Sequence, residues 1–331
     1  MQQGSVIIRG VGSYLPRKIL TNHDLASMVD TSDEWIRTRT GISQRHIADI
    51  HETCSDLAYV AAKNALEDAK LKPKDIDLLI VATMTPDMIC PSSAAILQAK
   101  LNLRRVMSFD LNAACSGFVY ALEVATRLLQ SGNFYKRALV VGAEKVSSIV
   151  DWEDRSTCVL FGDAAGAFVL EYASTEHLGI LDTVLGADGS SYEILYMPAG
   201  GSRHPATADT VAQRQHFIKM NGKELFKASV RFMGKAIEEL LERNHLTKAD
   251  IACLIPHQAN LRIIQSLAQS LGLSMDRVFC NLENTGNTSS ASIPVAFAQA
   301  KNSHHFRSGD YIVLVAFGGG LTWGATLIKW P

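Results

Sequence analysis

The chain reads as an α/β protein made of two similar halves. Segments recur in the same order about 175 residues apart, short Val/Ile/Leu runs alternate with helical patterns, and 331 residues exceed what one hydrophobic core usually serves. IIRGVG at 7–12 resembles residues 180–186, DIDLLI at 75–80 resembles DIACLI at 250–255, and RALVVG at 137–142 resembles residues 311–316. A looser fourth pair sets 113–121, small residues leading into a helical pattern, against 288–296. Any one pair of short apolar strands can look alike by chance; four pairs in one order at one spacing mark a duplication. The halves are expected at 1–174 and 175–331, with the boundary in the polar stretch 174–177.

Within each half the short apolar runs predict strands buried on both faces, and the patterns at 55–71, 121–131 and 222–244 predict the helices that cover them. Residues 186–215, rich in Gly, Ser, Ala and Pro, predict an irregular excursion. The uncharged run 311–328 has the length of a membrane span, yet it contains Gly318, Gly319, Gly320 and Gly324. Each would weaken a helix by about 1 kcal/mol relative to Ala, so the run predicts strand, glycine turn, strand.

With 47% apolar and 20% charged residues the chain lies far from the disordered classes. Its net charge of -1, from 32 basic and 33 acidic side chains, supplies no global field for nucleic acid or anionic lipid. An anionic partner must therefore find a local patch. The opening MQQGSVIIRG carries no apolar run of signal length, so a cytoplasmic protein is expected. Cysteines 54, 90, 115, 158, 253 and 280 lack C-x-x-C pairs or zinc spacing, which predicts reduced thiols and no metal site.

Four segments carry candidate chemistry. Cys115 lies in NAACSGF after an apolar strand and before a helix, where unpaired amides and the helix dipole are expected to lower a thiol's pKa. A buried spectator in a tight turn is the competing reading. His257, in IPHQAN, occupies the same kind of strand-to-helix junction in the second half, unlike the other nine histidines. In NTGNTSSASIP, Asn287 offers uncharged N–H donors suited to an oxyanion or enolate, although a Thr/Ser run before Pro also suits a polar loop or cap. FGGGLTWG lets backbone amides face a cavity but lacks the lysine of a phosphate loop.

In this order, AACSGFVYAL, IPHQANLRII, NTGNTSSASIP and FGGGLTWGA resemble the β-ketoacyl-[acyl carrier protein] synthase III family, over residues 6–329. The resemblance implies a thiolase-like fold of five layers, αβαβα, with two pseudo-symmetric halves. It also implies a Cys115–His257–Asn287 triad that condenses an acyl-CoA primer with malonyl-acyl carrier protein, without cofactor, in a homodimer. Carried over by motif, Cys115 and Gly319 supply the oxyanion hole. Trp35, Arg39, Arg155 and Gly222 bind CoA, Arg262 and Lys227 face the carrier protein, and Cys90 and Phe317 shape the acyl pocket. Cys90 stands where acetyl-selective relatives carry a bulky aromatic on a loop reaching across the dimer, which implies room for a longer primer. Lys223 stands where Asn is common. A thiolase would need a second cysteine in a C-terminal C-x-G turn, and none follows Cys280. Elongating condensing enzymes carry His where Asn287 stands, and a Cys-His amidase or protease fits the duplication poorly. Condensing enzymes of polyketide or quinolone type share the triad, and their primers are set by pocket shape.

Overall fold

A computed structural model describes residues 4–131, 134–173, 178–304 and 306–331. The boundary expected at 174–177 lies outside the described residues. Among these, nine strands form the main sheet: β1 Ser5–Tyr14, β2 Leu78–Ala82, β3 Met107–Leu111, β4 Arg137–Glu144, β5 Ala164–Ala173, β6 Gly179–Ala187, β7 Ile251–Pro256, β8 Tyr311–Gly318 and β9 Thr322–Lys329. Their spatial order is β7-β8-β9-β6-β1-β5-β4-β2-β3.

From its centre outward, this sheet repeats one pattern in both directions. On one side β1 pairs antiparallel with β5, β5 antiparallel with β4, and β4 and β3 both run parallel to β2. On the other, β6 pairs antiparallel with β9, β9 antiparallel with β8, β8 runs parallel to β7, and Leu254 of β7 bridges Val278 in parallel. The segments matched in the sequence are equivalent strands: β1 with β6, β2 with β7, β4 with β8. The two patterns meet at one paired position, Val6 opposite Ile180. The run 311–328 is the β8–β9 hairpin, and no helix among the described residues is long and apolar enough to cross a membrane.

Helices cover both faces: α1 Asp33–Thr40, α2 Cys54–Asp68, α3 Ser93–Lys100, α4 Gly117–Gln130, α5 Gly222–Arg243, α6 Leu261–Leu271 and α7 Ser292–His304. Strand side chains alternate between faces, which sorts the core into three apolar layers. Leu79, Val81, Leu139 and Val141 meet α2 and α3 on one outer face. Leu78, Ile80, Ile255 and Leu314 meet α4 and α7 in the middle. Val313, Val315, Leu254 and Leu327 meet α5 and α6 on the other outer face. The stack is αβαβα. Helix α2 lies close on β1 because Ala61 and Ala65 face Gly10 and Gly12, where an added Cβ would come within 2.4 and 2.3 Å of the helix carbonyls.

Candidate active site

Two strand ends and one isolated bridge bring the candidate residues together. Cys115 sits in a short 3-10 turn, Ala114–Ser116, between β3 and α4. His257 follows β7, its amide donating to Val315 O at 2.7 Å and so extending the β7–β8 ladder. Asn287 is pinned by a parallel bridge to Phe161. All three are buried, at 4%, 4% and 7% exposure, and they line one small cavity of about 30 Å³ with Phe161, Phe317 and Gly318. A second cavity of about 220 Å³ shares Cys115 and Phe161 and adds Met84, Ile149, Met197 and Gly319.

The elbow carrying Cys115 occurs twice. Ala114 holds φ +47° and Ser289, at the equivalent place before α7, holds φ +50°, a left-handed conformation that costs a residue with a Cβ about 1–2 kcal/mol. Each is held by an asparagine two residues earlier: Ala114 N donates to Asn112 Oδ1 at 3.0 Å and Ser289 N to Asn287 Oδ1 at 2.9 Å. With its carbonyl oxygen so engaged, Asn287 is left with its amide hydrogens to offer the cavity. Ser290 is the counterpart of Cys115, and its hydroxyl lies 2.8 Å from both Ala82 O and Glu144 Oε1, with one hydrogen between them.

His257 is neutral near pH 7, because burial drives its pKa down to about 4. Ser292 Oγ stands 2.6 Å from His257 Nδ1 and accepts from Gln258 N at 3.4 Å. A serine hydrogen donated to Nδ1 puts the ring proton on Nε2. The cavity thus brings a neutral imidazole beside a carboxamide.

The thiol departs from the sequence-based expectation. Burial pushes Cys115 up to about 12; a hydrogen bond with Ser289 acts against this and the nearby Glu144 adds to it. Helix α4 begins only at Gly117, after the 3-10 turn, and the desolvation of an anion outweighs the partial charge of the helix end.

Gly318 packs directly on the nucleophile turn: a Cβ there would lie 2.7 Å from Cys115 N and 3.0 Å from Ser116 N. Gly319 lines the larger cavity beside Cys115. At the surface the structure groups Trp35, Arg39 and Arg155, with guanidinium carbons 5.7 Å (Arg39) and 4.9 Å (Arg155) from the Trp35 ring centre. Asn260 ties this group to α6: Nδ2 donates to Arg39 O at 3.1 Å, while Oδ1 caps Arg262 N at 2.8 Å. Arg262 is exposed, one residue from the cavity-lining Ile263. Gly222 opens α5 at the surface, and Lys227, one turn on, pairs with Glu224 at 3.2 Å. Phe317 lines the smaller cavity, whereas Cys90 is exposed and is not among the residues lining either cavity of its own chain.

Sequence reading missed Ser289, Ser292 and Glu144, along with the cavity walls Met84, Ile149 and Met197. For Glu144 a signal existed, since a charged residue closing the apolar run of β4 marks a strand end of the same kind as those leading to Cys115 and His257.

The fold is that of a thiolase-like condensing enzyme. Residues 109–189 match the family model for 3-oxoacyl-[acyl-carrier-protein] synthase III, and residues 241–330 match the model of its C-terminal region. The chain is 53% identical over 98% of its length to beta-ketoacyl-[acyl-carrier-protein] synthase III of Caldanaerobacter subterraneus, covering 97% of that protein. The solved 3-oxoacyl-[acyl-carrier-protein] synthase III of Aquifex aeolicus superposes with a TM-score of 0.90 at 47% identity, covering 98% of this chain and 100% of that one. That of Pseudomonas aeruginosa gives 0.91 at 40%, covering 99% and 98%. The chain belongs to the 3-oxoacyl-[acyl-carrier-protein] synthase III family.

Proposed function

We propose that this chain joins an acyl-CoA primer to malonyl-acyl carrier protein, forming a β-ketoacyl-acyl carrier protein and starting a fatty acid chain. The single observation that carries the reading is the convergence of Cys115, His257 and Asn287 on one buried cavity. Cys115 Sγ attacks the primer thioester and CoA leaves, which is covalent catalysis with two half-reactions. Malonyl thioester then enters and loses carbon dioxide. The resulting enolate oxygen is met by His257 Nε2–H and the Asn287 amide, each worth about 2.7–4 kcal/mol by comparison with other oxyanion-type donors. The enolate carbon attacks the acyl carbon, and the amides of Cys115 and Gly319 receive the tetrahedral oxyanion.

The chain supplies the remaining parts from both halves, read as 1–174 and 175–331, a division supported by the repeated strand order. Trp35, Arg39 and Arg155, with Gly222 at the start of α5, form the CoA subsite; Arg262 and Lys227 form the local basic patch for the acidic carrier protein. Phe317 borders the acyl space, and Cys90 approaches the acyl pocket of the second copy in a homodimer. The reaction requires neither metal nor cofactor, and we place it in the cytoplasm, in keeping with six free thiols.

The test is to incubate the protein with radiolabelled acetyl-CoA and then with malonyl-acyl carrier protein. Label is expected on Cys115, followed by acetoacetyl-acyl carrier protein, and Cys115→Ala abolishes labelling. Persistence of label in Cys115→Ala, or its absence in the wild type, refutes the assignment.

A further inference from the structure

Arg45 is the largest fully buried side chain among the described residues. It belongs to a two-stranded ladder outside the main sheet, Lys18–Thr21 against Gln44–Ile47. Burial lowers its pKa to about 10, which leaves it a cation at neutral pH. Its partners are neutral oxygens: Nη1 donates to Leu20 O at 3.2 Å and Asn22 Oδ1 at 2.9 Å, Nη2 donates to Val159 O at 2.7 Å, and Nε meets none. A methionine would fill much of the same space without burying a charge, so the guanidinium is explained by what its fork holds.

One side of the fork leads to the candidate site. Val159 opens the segment 159–162, which grips Asn287 by its main chain: Asn287 N donates to Leu160 O at 2.8 Å, and Gly162 N donates to Asn287 O at 3.0 Å. The stem of Arg45 is wedged between the same two stretches of chain. A Cβ added at Gly162 would lie 3.0 Å from Arg45 Cβ, and one added at Gly286 would lie 3.1 Å from it. Gly162 follows the cavity-lining Phe161, and Gly286 precedes Asn287. The other side of the fork is anchored away from the cavity, because Asn22 Nδ2 donates to Ile42 O at 2.7 Å and Asp33 Oδ1 at 2.8 Å. None of these bonds reaches the Cys115 turn, which stands between β3 and α4 and packs on Gly318.

We infer that Arg45 is a positioning residue for Asn287: it fixes the Val159 carbonyl and, through segment 159–162, the place of the carboxamide in the cavity. The rigid guanidinium plane spans both anchors, whereas a lysine offers one nitrogen on a flexible stem. Misplacing a group by about 1 Å can slow the step that uses it about 100-fold. The loss therefore falls on the step that needs Asn287 and spares acyl transfer to Cys115.

This inference rests on the condensation proposed above. The test compares wild type, Arg45→Met, Arg45→Lys, Asn287→Ala and the double variant Arg45→Met/Asn287→Ala. Acetyl transfer to Cys115 is followed by intact mass at saturating acetyl-CoA. Condensation is followed in a single turnover of acetylated protein with malonyl-acyl carrier protein. In Arg45→Met, condensation is expected to fall tenfold or more while acetyl transfer stays within about threefold of wild type. Adding Arg45→Met to Asn287→Ala should lower condensation no further, because the two act as one unit. Equal losses in both half-reactions, or a further tenfold loss in the double variant, overturn the inference. Should Arg45→Met not fold, Arg45→Lys, which keeps the charge and the stem, decides by the same split between half-reactions. If the wild type forms no β-ketoacyl product, the condensing function fails instead, and amide hydrogen exchange judges Arg45. Faster exchange across 285–290 in Arg45→Lys, with 112–120 as in wild type, then supports the positioning role, and unchanged exchange across 285–290 overturns it.

Discussion

Gly318→Ala isolates the contact on which the nucleophile turn rests. The new methyl carbon would lie 2.7 Å from Cys115 N, 3.0 Å from Ser116 N and 3.2 Å from Ala113 O, all main-chain atoms. Measured against the ~3.5 Å at which such contacts become favourable, the shortfall reaches about 0.8 Å. No rotamer change relieves it, so β8 and the 3-10 turn must separate. Overpacking of this kind costs about 1–3 kcal/mol, or roughly 1–4 °C in melting temperature for a chain of 331 residues. Movement of the attacking sulfur and its amide by a similar distance lowers the acylation rate by about 100-fold. Intact-mass kinetics of acetyl transfer to Cys115, beside a thermal melt, measure both. Wild-type acylation in a variant with wild-type melting temperature would show that Gly318 does not set the position of Cys115.

Other substitutions separate the remaining roles. His257→Ala and Asn287→Ala are expected to retain most acyl transfer to Cys115 while condensation falls at least 100-fold; an equal loss in both half-reactions would argue against enolate binding. Burial takes the His257 pKa from 6.5 to about 4, so the unfolded ring binds a proton in that window and the folded ring does not. Stability should then be full above pH 6.5 and decline by about 3 kcal/mol toward pH 4. Melts of His257→Gln should show a shallower decline over that window, and identical slopes would contradict it. Arg155→Ala should raise KM for acetyl-CoA about fivefold, the loss of one exposed cation–π contact of roughly 1 kcal/mol; an unchanged KM removes Arg155 from the subsite. Arg262→Glu should raise KM for malonyl-acyl carrier protein while leaving acetyl transfer to Cys115 untouched, and an effect on acetyl transfer would move Arg262 out of the carrier-protein patch.

Strands buried on both faces leave short apolar runs, which is why β2, β4, β7 and β8 and their repetition are legible in the sequence. Cys115, His257 and Asn287 stood out because small residues surround each at a junction between elements. Periodicity does not reach the loops that build the cavity walls, so Met84, Ile149 and Met197 carried no signal. Nor did the sequence disclose how dry the chamber is. A helix start predicts a lowered thiol pKa, but the desolvation that reverses it at Cys115 comes from residues far apart in the chain. Cys90 reads differently too: the motif points to an acyl pocket, while in one chain the side chain faces outward.

The lone rung between Val6 and Ile180 contributes little ladder bonding to hold the twin sheets to each other. That task falls to the middle layer, where Phe118 of α4 meets Phe168 of β5 edge-on at 4.9 Å and Phe168 meets Phe297 of α7 at 4.8 Å. These rings join both sequence repeats, so neither repeat can melt without exposing the other's aromatic partner. Denaturant titrations should accordingly show one transition, with the reaction chamber lost only when the entire molecule opens.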